Sequence, residues 1–74
     1  MQWTDKIISM YASHERHWLQ FDYEGQQWLG YVIDYEEADE TESGEFEFTI
    51  ATNKGAGLTF GLPKVKNLKE VISA

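Results

Sequence analysis

Trp18-Leu19-Gln20-Phe21-Asp22-Tyr23-Glu24-Gly25-Gln26-Gln27-Trp28-Leu29-Gly30-Tyr31-Val32-Ile33-Asp34-Tyr35 is the stretch whose pairing decides the fold. Leu19, Phe21 and Tyr23 alternate with Gln20 and Asp22, the period of two that marks a half-buried strand. Glu24-Gly25-Gln26 reads as the turn, because Gly25 adopts positive φ without steric cost. Gln27 to Tyr35 then forms a second strand, with Leu29, Tyr31, Ile33 and Tyr35 on one face. Trp28, Gly30, Val32 and Asp34 fall on the other, so both faces carry apolar groups and the strand reads as central. An odd, three-residue loop gathers the most apolar area on one side, setting Leu19, Phe21 and Tyr23 beside Leu29, Tyr31 and Ile33. Its consequence is that Trp18, Trp28 and Val32 share the opposite face and need a cover.

Upstream, Trp3, Ile7, Met10/Tyr11 and His14 recur every three to four residues, with Ile8 beside them. That stripe predicts an amphipathic helix from about Trp3 to Ser13, with Thr4 or Gln2 in the cap region and Asp5 near the positive end of its dipole. Downstream, Glu36 to Gly44 is acidic and without apolar period, and reads as a solvated, mobile loop. Phe46, Phe48 and Ile50 point inward from a strand over Glu45 to Thr52, and Asn53 to Gly57 is a turn cluster. Leu58 to Leu62 alternates again and Pro63 ends it. Asn67 with Glu70 three residues on resembles a capping box, so Leu68, Val71 and Ile72 predict a short helical turn; a closing strand from Lys69 to Ser73 is the alternative. The expected fold is therefore α+β: one domain over residues 1–74, an N-terminal helix and a four-stranded antiparallel meander. The meander packs on the helix or curls into a small barrel, and a C-terminal helical turn follows.

Composition narrows the chemistry. The absence of cysteine excludes disulfides, thiolate metal sites and a cysteine nucleophile, and favours a cytoplasmic home. Met1 to Lys6 shows no basic segment leading into an apolar run, and no stretch has the length of a membrane span. Of the 13 acids, Asp34, Glu36, Glu37, Asp39, Glu40, Glu42, Glu45 and Glu47 crowd into one stretch without a lysine or arginine. From Asn53 onward Lys54, Lys64, Lys66 and Lys69 meet one acid, Glu70, so charge is polarised along the chain. The net charge is −7, and its long negative stretch repels phosphate and disfavours broad nucleic-acid binding unless the basic end is spatially separate.

Each chemical motif meets a simpler reading. His14-Glu15-Arg16-His17 offers two histidines, fewer than the three or four converging ligands zinc needs, so no metal is expected there. The acid run lacks the order of a calcium loop, and paired carboxylates need a desolvating cleft to act as acid and base. Lys54-Gly55-Ala56-Gly57 lies between strands, whereas a phosphate loop leads into a helix. The serines sit in no nucleophile elbow. No catalytic residue and no cofactor is therefore expected, and the chain reads as a non-enzyme.

Gly25 to Tyr35, with a turn glycine, a second glycine at 30 and a hydrophobic run, resembles the second-strand region of Sm-like and other SH3-like small barrels. The order of a helix, then strands, then a late short turn is similar too. The resemblance implies a barrel shape only. Asp22 stands where that family is usually apolar, the family's late RNA-contacting motif has no counterpart, and no functional residue carries over.

Eleven aromatic residues exceed what one small core easily hides, since each brings about 150–250 Å². The expectation is a protein-interaction or regulatory domain binding a partner, one with a basic surface, through Trp18, Trp28 and Val32 flanked by Glu36, Glu37, Asp39, Glu40 and Glu42. Two alternatives stand beside it. One is a nucleic-acid or carbohydrate-binding small barrel using Trp18, Trp28 and Tyr31 with Lys64, Lys66 and Lys69. The other is a homo-oligomer built on strand edges.

Overall fold

The computed structural model describes residues 2–13 and 17–71. His14, Glu15 and Arg16 of the histidine motif, and Ile72 and Ser73 of the terminal element, lie outside the described residues. The elements in chain order are α1 (Trp3–Ala12), β1 (Trp18–Tyr23), β2 (Gln26–Glu36), a 3-10 turn (Ala38–Glu40), β3 (Glu47–Thr52), β4 (Gly57–Gly61), a second 3-10 turn (Leu62–Lys64) and β5 (Lys66–Val71). One antiparallel sheet runs β4-β3-β2-β1-β5. It has five strands rather than four and is not closed, since β4 and β5 remain as edges. The α+β class holds, and the closed small barrel does not form.

The connection between β1 and β2 is two residues long, not three. Tyr23 pairs with Gln26, Phe21 with Trp28 and Leu19 with Gly30. Glu24 and Gly25 both have positive φ, 51° and 76°, the backbone of a primed two-residue turn whose twist matches its strands. An L-residue in that region costs about 1–2 kcal/mol, which Glu24 bears because the correct register buries Leu19 and Phe21. A hydrogen bond from the Tyr23 hydroxyl to the Glu24 carboxylate, with some burial, holds this phenol above its ordinary pKa.

This register inverts the expected faces of β2. Trp28, Gly30 and Val32 lie on the inner face with Leu19 and Phe21; Leu29 and Tyr31 lie on the outer face with Gln20 and Trp18. A shift at Ile33 then flips the strand, because Val32 pairs with Ile50 but Asp34 pairs with Thr49. Such a bulge adds one residue and reverses the alternation beyond it, so Tyr35, opposite Phe48, is inner again.

Ile7 and Met10 of α1 pack with Leu19, Phe21, Phe46, Phe48, Ile50 and Phe60 as the core. Each such side chain contributes roughly 1.5–3 kcal/mol on full burial. Phe60 is its aromatic centre, with Tyr23, Phe48 and Phe21 at 4.8, 5.0 and 5.2 Å between ring centroids. Tyr11 of α1 meets Tyr35 edge-on at 5.4 Å, and Tyr35 stacks on Phe46. Phe46, Phe48 and Ile50 point inward as their alternation predicts.

The C-terminal segment is a strand and not a helical turn. Asn67 has φ 55°, whereas an N-cap needs extended backbone, and it marks an irregularity where β5 slips against β1. The open edge of β1 offers a full row of backbone partners, and the chain takes them. The acidic connection also carries local structure: the Thr41 hydroxyl donates to the Glu45 carbonyl at 2.8 Å, and Ser43 donates to Glu47 at 2.9 Å. Buried Thr52 closes the β3–β4 hairpin by donating to the Ala56 carbonyl and accepting from the Ala56 amide.

Gly30 is where the inner face is tightest. A methyl there would run into the Ile50 side chain and the Ala51 carbonyl, whereas one at Gly57 meets open space. Gly30→Ala is expected to lose about 1–3 kcal/mol in urea denaturation, the scale of core overpacking, while Gly57→Ala changes little. Equal stabilities for the two variants would contradict the register.

Candidate interaction surface

Turning β2 over builds a second surface from residues that the core does not use. Val71, Trp18, Tyr31, Ala51 and Gly57 pair in succession across all five strands, so their side-chain positions form one row on the outer face. Trp18 and Tyr31 meet edge-on at 5.2 Å. Leu29, opposite Gln20, extends the apolar area, and Ile33 at the bulge is 44% exposed. Trp18, Leu29, Tyr31 and Val71 are all half-buried, and none belongs to the cluster packed on the core.

Beyond the bulge the same face turns acidic. Asp34 lies opposite Thr49, which pairs with Thr59, and Glu36 lies opposite Glu47. The two threonine hydroxyls bond at 2.7 Å. A shallow depression of about 240 Å³ opens here, lined by Asp34, Glu36, Glu47 and the threonines. Among the described residues no ion pair joins an acid of 34–47 to a lysine. Toward the β1–β2 turn the face becomes mixed polar: Asp22 pairs with Gln27 and Lys66, and Asn67 donates to Asp22 at 2.7 Å.

The expected binding residues divide between these surfaces. Trp18 is on the outer face. Trp28 and Val32 are not beside it; they lie on the inner face against the core, Val32 opposite Ile50. Lys54 sits 4.4 Å over the Trp28 ring, whose N–H points to the Tyr23 carbonyl. Glu36 belongs to the acidic half of the outer face. Glu37, Asp39 and Glu40 gather around the 3-10 turn with carboxylates within 4.8 Å of one another, all exposed, and Glu42 is exposed beside them. Leu29, Val71, Asp34 and Glu47 are the members not expected as binding residues, and Tyr31 was expected only for the nucleic-acid or carbohydrate alternative. The signal for Leu29 and Tyr31 was the Glu24-Gly25 dipeptide, a two-residue turn that makes Trp18 and Tyr31 neighbours, whereas Asp34 and Glu47 depend on the bulge and Val71 on the pairing of β5.

The two sheet edges differ. β5 carries Lys66, Lys69, Glu70 and an irregular Asn67, which discourage pairing with another strand. β4, Gly57–Gly61, is short and uncharged. His17 Nδ1 contacts Glu70 at 3.0 Å and ties the start of β1 to β5. No helix among the described residues is long and apolar enough to cross a membrane. No protein-family model, curated protein or solved structure matches the chain.

Like charges directly opposite across a sheet cost a few tenths to about 1 kcal/mol. Glu36→Gln, which removes one of the opposed pair, is expected to raise stability by that amount at low ionic strength. The gain should largely vanish near 1 M salt, where the screening length is about 3 Å. A loss of stability at low salt would show that Glu36 has a favourable partner instead.

Proposed function

We propose that this chain is a small non-enzymatic interaction domain that docks a partner protein on its outer sheet face. The observation that carries the reading is the row Val71-Trp18-Tyr31, continued by Leu29 and Ile33, lying outside the core yet contiguous with Asp34, Glu36 and Glu47. Partly exposed tryptophan and tyrosine in one patch are the residues that dominate protein interfaces. Carboxylates at the rim of such a patch select a basic partner and speed its approach. The uncompensated acids argue against a phosphate backbone as ligand on this face. A cysteine-free chain suits a reducing compartment, and a cytoplasmic location is part of the proposal.

The test is affinity capture from extracts with the wild-type chain and with Trp18→Ser, both checked for folding by circular dichroism. Loss of a central aromatic anchor typically costs 2 kcal/mol or more, about thirtyfold in affinity. Bound proteins are expected to disappear with Trp18→Ser and to weaken with added salt. Partners retained in full by the folded variant would remove the reading.

A further inference from the structure

Resting on that docking face, we propose that its occupant is an amphipathic helix of the partner, about three turns long, apolar toward one end and bearing lysine or arginine toward the other. The outer face of β2 sets the order of the contacts: Leu29 and Tyr31, then Ile33 at the bulge, then Asp34 and Glu36, with Glu47 beside Glu36. From Tyr31 to Glu36 is roughly 15–17 Å at strand rise. A helix covers that span in about ten residues at 1.5 Å each. The apolar and acidic halves of the face are not interleaved, so the matching ligand separates its apolar and cationic residues along its length.

The backbone chemistry selects a helix over an extended segment. Sheet N–H and C=O groups point sideways to neighbouring strands, so a sheet face offers few partners to a chain laid across it. An extended ligand on the Trp18–Tyr31 area would bury unpaired backbone groups, while a helix satisfies its own. Helix on sheet is also the packing by which α1 covers the other face of this sheet. Charge complementarity fixes the sign: Asp34, Glu36 and Glu47 have no lysine partner among the described residues.

The probes are three fluorescein-labelled synthetic peptides of identical length, about 16 residues each. The first has an apolar helical stripe followed by an arginine-rich end. The second holds the same residues interspersed. The third is the first with a central proline, which breaks a helix. Anisotropy titration of the whole chain should show the segregated peptide binding about tenfold tighter than either of the others. The Glu36→Gln/Glu47→Gln variant should weaken it about fivefold or more, since each lost charge pair acts on a partly desolvated face.

Equal affinity for the three peptides overturns the helical ligand. So does binding insensitive to the Glu36 and Glu47 changes, or amide shifts confined to the β4 edge, which would mark strand pairing. The two levels separate cleanly. Capture lost with Trp18→Ser while the peptides bind alike leaves the docking face and removes the helix. Capture unaffected by Trp18→Ser removes both.

Discussion

The two-residue turn at Glu24 and Gly25 is the constraint from which the rest of the molecule follows. A strand reverses every side chain when its pairing slips by one residue. With Tyr23 set against Gln26, Gly30 must face inward, and only a glycine leaves room for Ile50 to close over the strand. Trp28 and Val32 then become flanks of the core, while Trp18 and Tyr31 are turned away from it. A hairpin with one more residue in its loop would set Tyr31 and Leu29 on the face of Phe21 and turn Trp28 and Val32 away from it.

The bulge at Ile33 is the second device, and it separates two jobs along one strand. Before it, β2 contributes Val32 inward; beyond it, Tyr35 goes inward to Phe46 and Tyr11 of α1. The inserted residue lets both ends of β2 serve the core, and it leaves Ile33 and Asp34 together on the outer side. The resulting face carries aromatic and aliphatic groups in its middle and carboxylates at one end. Both features give up stability that folding alone would keep: the aromatic pair is only half-buried and forgoes part of the hydrophobic gain, and Glu36 opposite Glu47 is repulsive. A small domain has little stability to spare, so such features suggest that the surface answers to something other than folding.

The helix, the β3 alternation and the places of the hairpin turns were legible because local periodicity and turn residues report them directly, but the β1–β2 loop is one residue shorter than expected. Trp3 to Ala12 and Phe46, Phe48 and Ile50 lie as their spacing predicts. The faces of β2 were not legible, because both carry apolar residues and the balance of apolar area favoured the wrong one. Area counting overlooked Gly30, whose missing side chain was the better guide. The last strand stood only as the alternative, over Lys69 to Ser73, for a related reason: Asn67 and Glu70 mimic a helix start, and the open edge of β1 decides for backbone pairing from Lys66 on. Of the binding residues read from sequence, Trp18 and Glu36 share the outer face, while Trp28 and Val32 went inward with the register.

The register itself is open to one direct measurement. In a hairpin closed by a two-residue turn, alternate opposed pairs bring their α-protons close together. A NOESY spectrum should therefore connect the α-protons of Asp22 with Gln27, Gln20 with Leu29, and Trp18 with Tyr31. Cross-peaks joining Phe21 to Leu29 and Leu19 to Tyr31 instead would reverse both faces of β2 and leave no aromatic–acidic surface of the kind described.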